Sequence, residues 1–421
     1  MVKKSILVLF FFGFLLLPLF AGGQAGEGSV ERVEVEFFHD KVLWLDPWEE
    51  MTAEYERQHP NVSVSSELVG GGADWRTALK TKAAAGEMPD LFKLEGKADY
   101  ELFNEYILDL TGQPFVDYFV PVAKESATFD GTNVGAAPLL LEGYGYIYSK
   151  QIFEDLGIAD IPRNFSQLKN VCATLQQAGI TPFASGFATW WVIGLHFTNI
   201  PMAHQPDPLG FIEGLNNGTA KIPGNRIFKE WQNIFDLVLA NCEDNPLTVD
   251  HNTQVTMFAN GDVAMIQQGN WKQPRIYDVD PDLLMGFVPI SFNDDTKAMD
   301  RLPVGVPMFL AVNKQSSQAQ IDVCMDFLDW FMTDDFAKMT MTDKFGSIPG
   351  YNTIDPATVK GDLSQDILRF AVAGKTVPWV FGYYTQGVVK EWGDLTQAYV
   401  GGQFDFDTLL QRMQESWDKN K

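Results

Sequence analysis

The chain has 421 residues, 46% of them hydrophobic, and a formal charge of −24. That is more apolar material than one compact lobe holds, so two domains are expected. The acidic balance repels phosphate backbones and anionic lipid, which argues against nucleic acid and membrane surfaces as partners.

Taken in chain order, residues 1–25 come first and stand apart from the fold. Lys3 and Lys4 precede an apolar run from Ile6 to Phe20, and the small residues Ala21, Gly22, Gly23 and Ala25 follow. This reads as a cleavable secretory signal peptide, since the run falls short of the roughly 20 apolar residues that span a bilayer. No later stretch is long and apolar enough to span, so a soluble mature protein is expected. "VERVEVEFFHD" then alternates Val33, Val35 and Phe37 against charged residues, the two-residue period of a strand. In "DPWEEMTAEYERQHPNVSVSSELV", Asp46 is expected to cap a helix with Trp48, Met51 and Tyr55 on one face, and "VSVSSEL" to form a second strand. The unit repeats: Asp74 caps "WRTALKTKAAAGE", Gly86 ends it, and "PDLFKLEG" is a third strand. Strand, helix, strand, helix, strand predicts a parallel sheet flanked by helices, with ligands beyond the carboxyl ends of its strands. Further on, "QIDVCMDFLDWFMTDDFAKMTMT" and the C-terminal "FDTLLQRMQESWDKNK" read as amphipathic helices whose aromatic stripes face a core.

Cys172, Cys242 and Cys324 are widely separated and form no CxxC pair. None lies near residue 22, which excludes a lipid-modified N-terminal cysteine; with the signal this points to a periplasmic location. Enzyme signatures are weak. Five scattered histidines have no metal-ligand spacing, no GxSxG elbow exists, and no cofactor motif stands. Neither catalytic nor metal-binding residues are therefore expected. What stands out is aromatic residues beside glycines, prolines and strand ends: Trp44, Trp75, Trp190, Trp191, Trp271, Trp379, Tyr383 and Tyr384. Such rings suit the C–H face of a sugar, while carboxylates and amides suit its rim of hydroxyls.

Five stretches, in this order, resemble the extracellular solute-binding proteins of ABC importers, in the carbohydrate-binding group that includes maltose-binding protein. They are "EEMTAEYERQHPNVSV", "KTKAAAGEMPDLFKL", "GAAPLLLEGYGYIYSKQIFEDLGI", "FANGDVAMIQQGNW" and "VGVPMFLAVNKQSSQAQIDVCMDFLDWFMTDD". The resemblance implies an α/β, two-lobed periplasmic-binding-protein fold, each lobe a mostly parallel sheet flanked by helices, hinged around a ligand cleft. Lobe one is expected over 30–138 and 292–345, and lobe two over 139–291 and 346–421. The implied function is non-enzymatic: a monomer captures a sugar or oligosaccharide and delivers it to membrane permease subunits of an ABC importer. A secreted glycoside-active enzyme and a sensor of the same fold are the alternatives. By the same resemblance Trp271 stacks on the sugar with Asn270 beside it, Glu142 holds hydroxyls, and Glu95 and Lys97 stand at the mouth of the third strand. Trp44 and Asp46 in the first loop join them, and aromatic character in loop context adds Trp190, Trp191, Trp379 and Tyr384.

Overall fold

The computed structural model describes residues 32–70, 74–385 and 387–421. The expected signal peptide lies outside the described residues. Among the described residues twelve strands form two sheets, with one apolar cluster packed on the first and two on the second.

The first sheet takes β1 (Val33–His39), β2 (Val62–Leu68), β3 (Leu91–Leu94), β4 (Ala137–Pro138) and β10 (Phe309–Val312) in the order β2-β1-β3-β10-β4. Pairings β1–β2 and β1–β3 are parallel, as the strand–helix–strand pattern requires. Between β1 and β2 runs α1 (Leu45–Gln58), whose Trp48, Met51 and Tyr55 face the core as their spacing predicts. Its start differs from expectation. A short helical turn over Val42–Trp44 leads directly into it, so Asp46 sits inside the first turn and caps nothing. The next helix, α2 (Trp75–Ala85), has the predicted ends: the Asp74 carboxylate accepts from the amides of Arg76 and Thr77, and Gly86 closes it at φ 74°. The short helix α3 (Lys97–Phe103) follows β3.

The second sheet is built around β5 (Leu140–Ser149), the longest strand. With β6 (Thr181–Ala184), β7 (Val263–Gly269), β9 (Leu302–Gly305) and β12 (Thr376–Pro378) it runs in the order β12-β9-β5-β7-β6; β8 (Met285–Val288) and β11 (Ile348–Pro349) also pair with β5. Both sheets are mixed, where mostly parallel ones were expected. The reason is the crossing strands: β10 returns antiparallel to β3, and β9 and β7 run antiparallel to β5.

The chain passes between sheets at the buried Leu139, linking β4 to β5, and over 306–308, linking β9 to β10; the Leu139 amide donates to the Met308 carbonyl there. These crossings divide the cores differently from the expected boundaries at 292 and 345. Phe292 and Met299 pack in the second lobe, because β9 completes that sheet beside β5 and β12. Tyr351 and Ile354 remain in the first core, where Phe119 and Val120 pair with Tyr351 and Gly350. The three cysteines are free, and burial pushes the thiols of Cys172 and Cys242 up to about 12. Among the described residues no helix is long and apolar enough to cross a membrane.

Candidate functional site

The carboxyl ends of β1 and β3 face the second lobe and carry a charged wall. Lys93, in the interior strand β3 and 1% exposed, donates to Asp40 and, at 2.7 Å, to Glu95. Arg76, in the first turn of α2, also binds Glu95 and holds Asp99 with Nε at 2.7 Å and Nη2 at 3.1 Å. Burial works to raise the Glu95 pKa, but the adjacent Arg76 and Lys93 charges outweigh it and hold the carboxyl well below the usual carboxylate range. Lys93 stays charged for the complementary reason: burial disfavours the ammonium, while Asp40 and Glu95 more than compensate. The Trp75 ring lies under both cations, 4.4 Å from the Arg76 guanidinium carbon and 4.5 Å from Lys93 Nζ. One oxygen of Asp40, Oδ1, is buried with no hydrogen-bond partner among the described residues. A carboxylate oxygen held in that way is an acceptor awaiting a donor.

The opposite wall, from the second lobe, is aromatic and centres on His196. Its ring lies 4.6 Å from Tyr144, 5.0 Å from Trp271, 5.3 Å from Trp191 and 6.0 Å from Trp379. Two strand-end glycines make the close approaches possible. A Cβ on Gly269 would fall 2.0 Å from Cζ3 of Trp271, and one on Gly305 would fall 2.6 Å from Cγ of Trp379. The rings therefore come close against bare backbone at the ends of β7 and β9. Tyr144, fully buried in β5, donates to the His196 carbonyl at 2.7 Å and accepts from Asn199 Nδ2 at 3.1 Å. Burial lowers the His196 pKa to about 3; Glu95 works against this and Lys41 adds to it, so both first-lobe charges act on the ring across the cleft. The imidazole is thus neutral, with one donor and one acceptor nitrogen. Its Nδ1 and the indole Nε1 of Trp379 are buried without partners among the described residues.

The walls meet at two places. Lys41 Nζ binds Glu142 Oε1 at 2.8 Å, a pair with side chains 19% and 7% exposed. Gly96 before α3 abuts Gly382, where a Cβ would stand 2.7 Å from the Gly382 Cα.

This geometry sorts the residues read from the sequence. Trp271, Trp379 and Trp191 belong to the aromatic wall, Glu95 to the charged wall, and Glu142 to the junction. Others do not converge there. Trp44 is 4% exposed and stacks on Phe345 at 3.9 Å inside the first core. Tyr384 is 2% exposed against Trp392 and Trp417 in the second. Asn270 is spent on the fold: its Oδ1 accepts from the Gly143 amide at 3.1 Å and its Nδ2 donates to Ser364 at 3.2 Å. Lys97 pairs with Glu101 along the surface of α3. Asp46 is exposed on α1, with no hydrogen bond or ion pair among the described residues. Trp190 is half-buried, with its Cβ and carbonyl beside Gly393.

Sequence reasoning missed Asp40, Lys41, Arg76, Lys93, Tyr144 and His196. The rule that ligands sit at carboxyl ends of strands would have found Asp40 and Lys41, which immediately follow β1. Among the described residues no three His, Cys, Asp or Glu side chains are placed to hold a metal ion. Two surface hollows lie elsewhere on the second lobe, both lined by Tyr148, Lys150 and Ile161. One of them also gathers charges and rings, among them Arg163, Asp366, Arg369, Phe287 and Phe370, but all of its lining comes from the second lobe.

Two α/β lobes joined by crossing strands, with charges on one facing wall and rings on the other, define a two-lobed binding protein. The chain belongs to the bacterial extracellular solute-binding protein family, whose model matches residues 43–338. It is similar to the multiple sugar-binding protein of Streptococcus mutans, 22% identical over 280 residues covering 65% of each chain. The maltotriose-binding protein of Pyrococcus abyssi is 24% identical over 328 residues, 73% of this chain and 66% of that one. The chain thus spans about two thirds of the length of these relatives. Among solved structures, a chitin oligosaccharide binding protein aligns with a TM-score of 0.78 at 20% identity, over 93% of this chain and 99% of that one. The solute-binding protein RafE in complex with raffinose aligns at 0.76 and 18% identity, over 92% and 100%. These structures establish the shared fold.

Proposed function

We propose that this protein captures a sugar or oligosaccharide between its lobes and delivers it to the permease of an ABC importer. The observation that carries the reading is the opposition of the carboxylates of Asp40 and Glu95 to the rings of Trp271 and Trp379. Hydroxyls donate to carboxylates, and the C–H face of a pyranose packs on a ring. The names of the relatives, all sugar binders, agree with it. In this reading Trp271, Trp379 and Trp191 supply stacking, and Asp40, Glu95 and Glu142 accept hydroxyls. The protein acts as a binder rather than a catalyst: a general acid near neutral pH needs a raised carboxyl pKa, whereas Arg76 and Lys93 hold that of Glu95 low. We assign lobe one to 32–138 and 309–354 and lobe two to 140–305 and 359–421, acting as a monomer. The family's extracellular character supports export, and the sequence of residues 1–25 favours the periplasm. A thermal-shift screen against mono- and oligosaccharides tests the reading. A sugar at 100 times its Kd adds roughly 2.7 kcal/mol of stability. A shift with at least one sugar is expected, and no shift across neutral and acidic sugars overturns it.

A further inference from the structure

Two lysines are buried among the described residues, and they are treated in opposite ways. Lys93 grips two carboxylates. Lys272, 6% exposed at the end of the turn that follows β7, has no hydrogen bond or ion pair among the described residues. Its ammonium lies 6.0 Å from the Trp191 ring centroid, and the same ring is 5.2 Å from His251 and 5.3 Å from His196. Trp191 therefore forms a continuous wall from the His196 hub to the Lys272 ammonium.

The nearby charges do not supply a partner. Arg275 repels the ammonium, and the Asp250 carboxylate is committed to capping a helix, accepting from the amides of Asn252 at 3.0 Å and Thr253 at 2.7 Å. His251 bonds Thr189 through Nδ1 at 3.2 Å and stays neutral, its pKa lowered to about 4 by burial first and Lys272 second. Burying an ammonium without a counter-charge is costly, and the cost is recovered when an anion arrives. Burial brings the Lys272 pKa down to about 8, which leaves it mostly charged at neutral pH.

We propose that Lys272, with Trp191 and His251, forms an acidic-sugar subsite extending the interlobe cleft, and that the ligand includes a hexuronate residue whose carboxylate meets the Lys272 ammonium. This rests on the carbohydrate reading above. The ring of Trp191 offers the plate for the pyranose, and a single ammonium matches a single carboxylate. A phosphate would call for an arginine fork or free helix amides, and Asp250 already occupies the amides. The negative charge of the chain does not prevent the approach. Exposed charges beyond about 8 Å are largely screened at physiological salt, whereas the buried ammonium acts at contact.

The test uses calorimetric titration at pH 7 with matched trimers: galacturonate against galactose, glucuronate against glucose, mannuronate against mannose. In at least one pair the acidic trimer is expected to bind about tenfold tighter or more, the range of a charge-assisted hydrogen bond. Lys272→Met closes that gap and Lys272→Arg retains it. Repeating the titration on the unsubstituted protein near pH 10, where the ammonium is lost, narrows the gap without any substitution. Equal or tighter binding of the neutral member in every pair, or a gap that survives Lys272→Met, overturns the inference. In the first case neutral binding leaves the carbohydrate reading standing. Binding by no trimer overturns the acidic subsite, and the wider sugar screen then decides the carbohydrate reading on its own.

Discussion

The two walls of the cleft solve the same problem with opposite materials. In the first lobe, Asp40, Lys93, Glu95, Arg76 and Asp99 are locked by mutual ion pairs, so their positions are set before any ligand arrives. In the second, Tyr144, His196, Trp191, Trp271 and Trp379 are held by packing, and the hydrogen bonds of Tyr144 secure the hub. Buried charges are tolerable only as a completed set, whereas rings tolerate one another individually. The charged wall should therefore fail as a unit and the aromatic wall residue by residue.

The largest effect is expected from Lys93→Met, which strips the half-buried Asp40 of its cation and leaves the half-buried Glu95 to Arg76 alone. Removing one partner of a buried pair costs about 3–5 kcal/mol, read as a lower urea midpoint with an unchanged slope. A loss under 1 kcal/mol would show that the charges are not interdependent. The aromatic hub gives the next effect, through pH. His196 has an ordinary pKa of 6.5 when unfolded and about 3 when folded. As pH falls below 6.5 the unfolded chain binds a proton that the folded chain refuses, so stability is lost progressively toward pH 4, by on the order of 3 kcal/mol from this residue at most. His196→Gln should flatten that part of the stability profile, and an unaltered profile would remove the histidine from the account. A third effect separates binding from folding. Trp271→Ala should cost about 2 kcal/mol or more of sugar affinity by calorimetry, with a smaller stability loss than Lys93→Met. The smallest effect is a control: Lys97 makes an exposed helix pair with Glu101, worth about 0.3–0.5 kcal/mol, so Lys97→Ala should leave affinity unchanged. A clear loss of affinity would place Lys97 back at the site.

The sequence carried the order of the elements because apolar periodicity reports local geometry: β1, α1, β2 and α2 are all visible in the spacing of Val35, Phe37, Trp48, Met51 and Tyr55 and in the cap at Asp74. It also flagged Trp271 and Trp379 as rings at strand ends. It did not distinguish rings facing the cleft from rings facing a core. Trp44 is decided by Phe345, about three hundred residues away, and Tyr384 by Trp392 and Trp417 on two later helices. No local pattern contains that information. The charged wall was hidden for the same reason, since Lys93 looks like an interruption in an apolar strand until Asp40, 53 residues earlier, is brought beside it.

The structure of a complex with the tightest sugar from the screen tests the central claim most directly. The sugar is expected between the walls, its C–H face within about 4 Å of the Trp271 or Trp379 ring and its hydroxyls on Asp40 or Glu95. A sugar bound at the Tyr148 and Lys150 surface of the second lobe, or one that touches a single wall, would contradict the account.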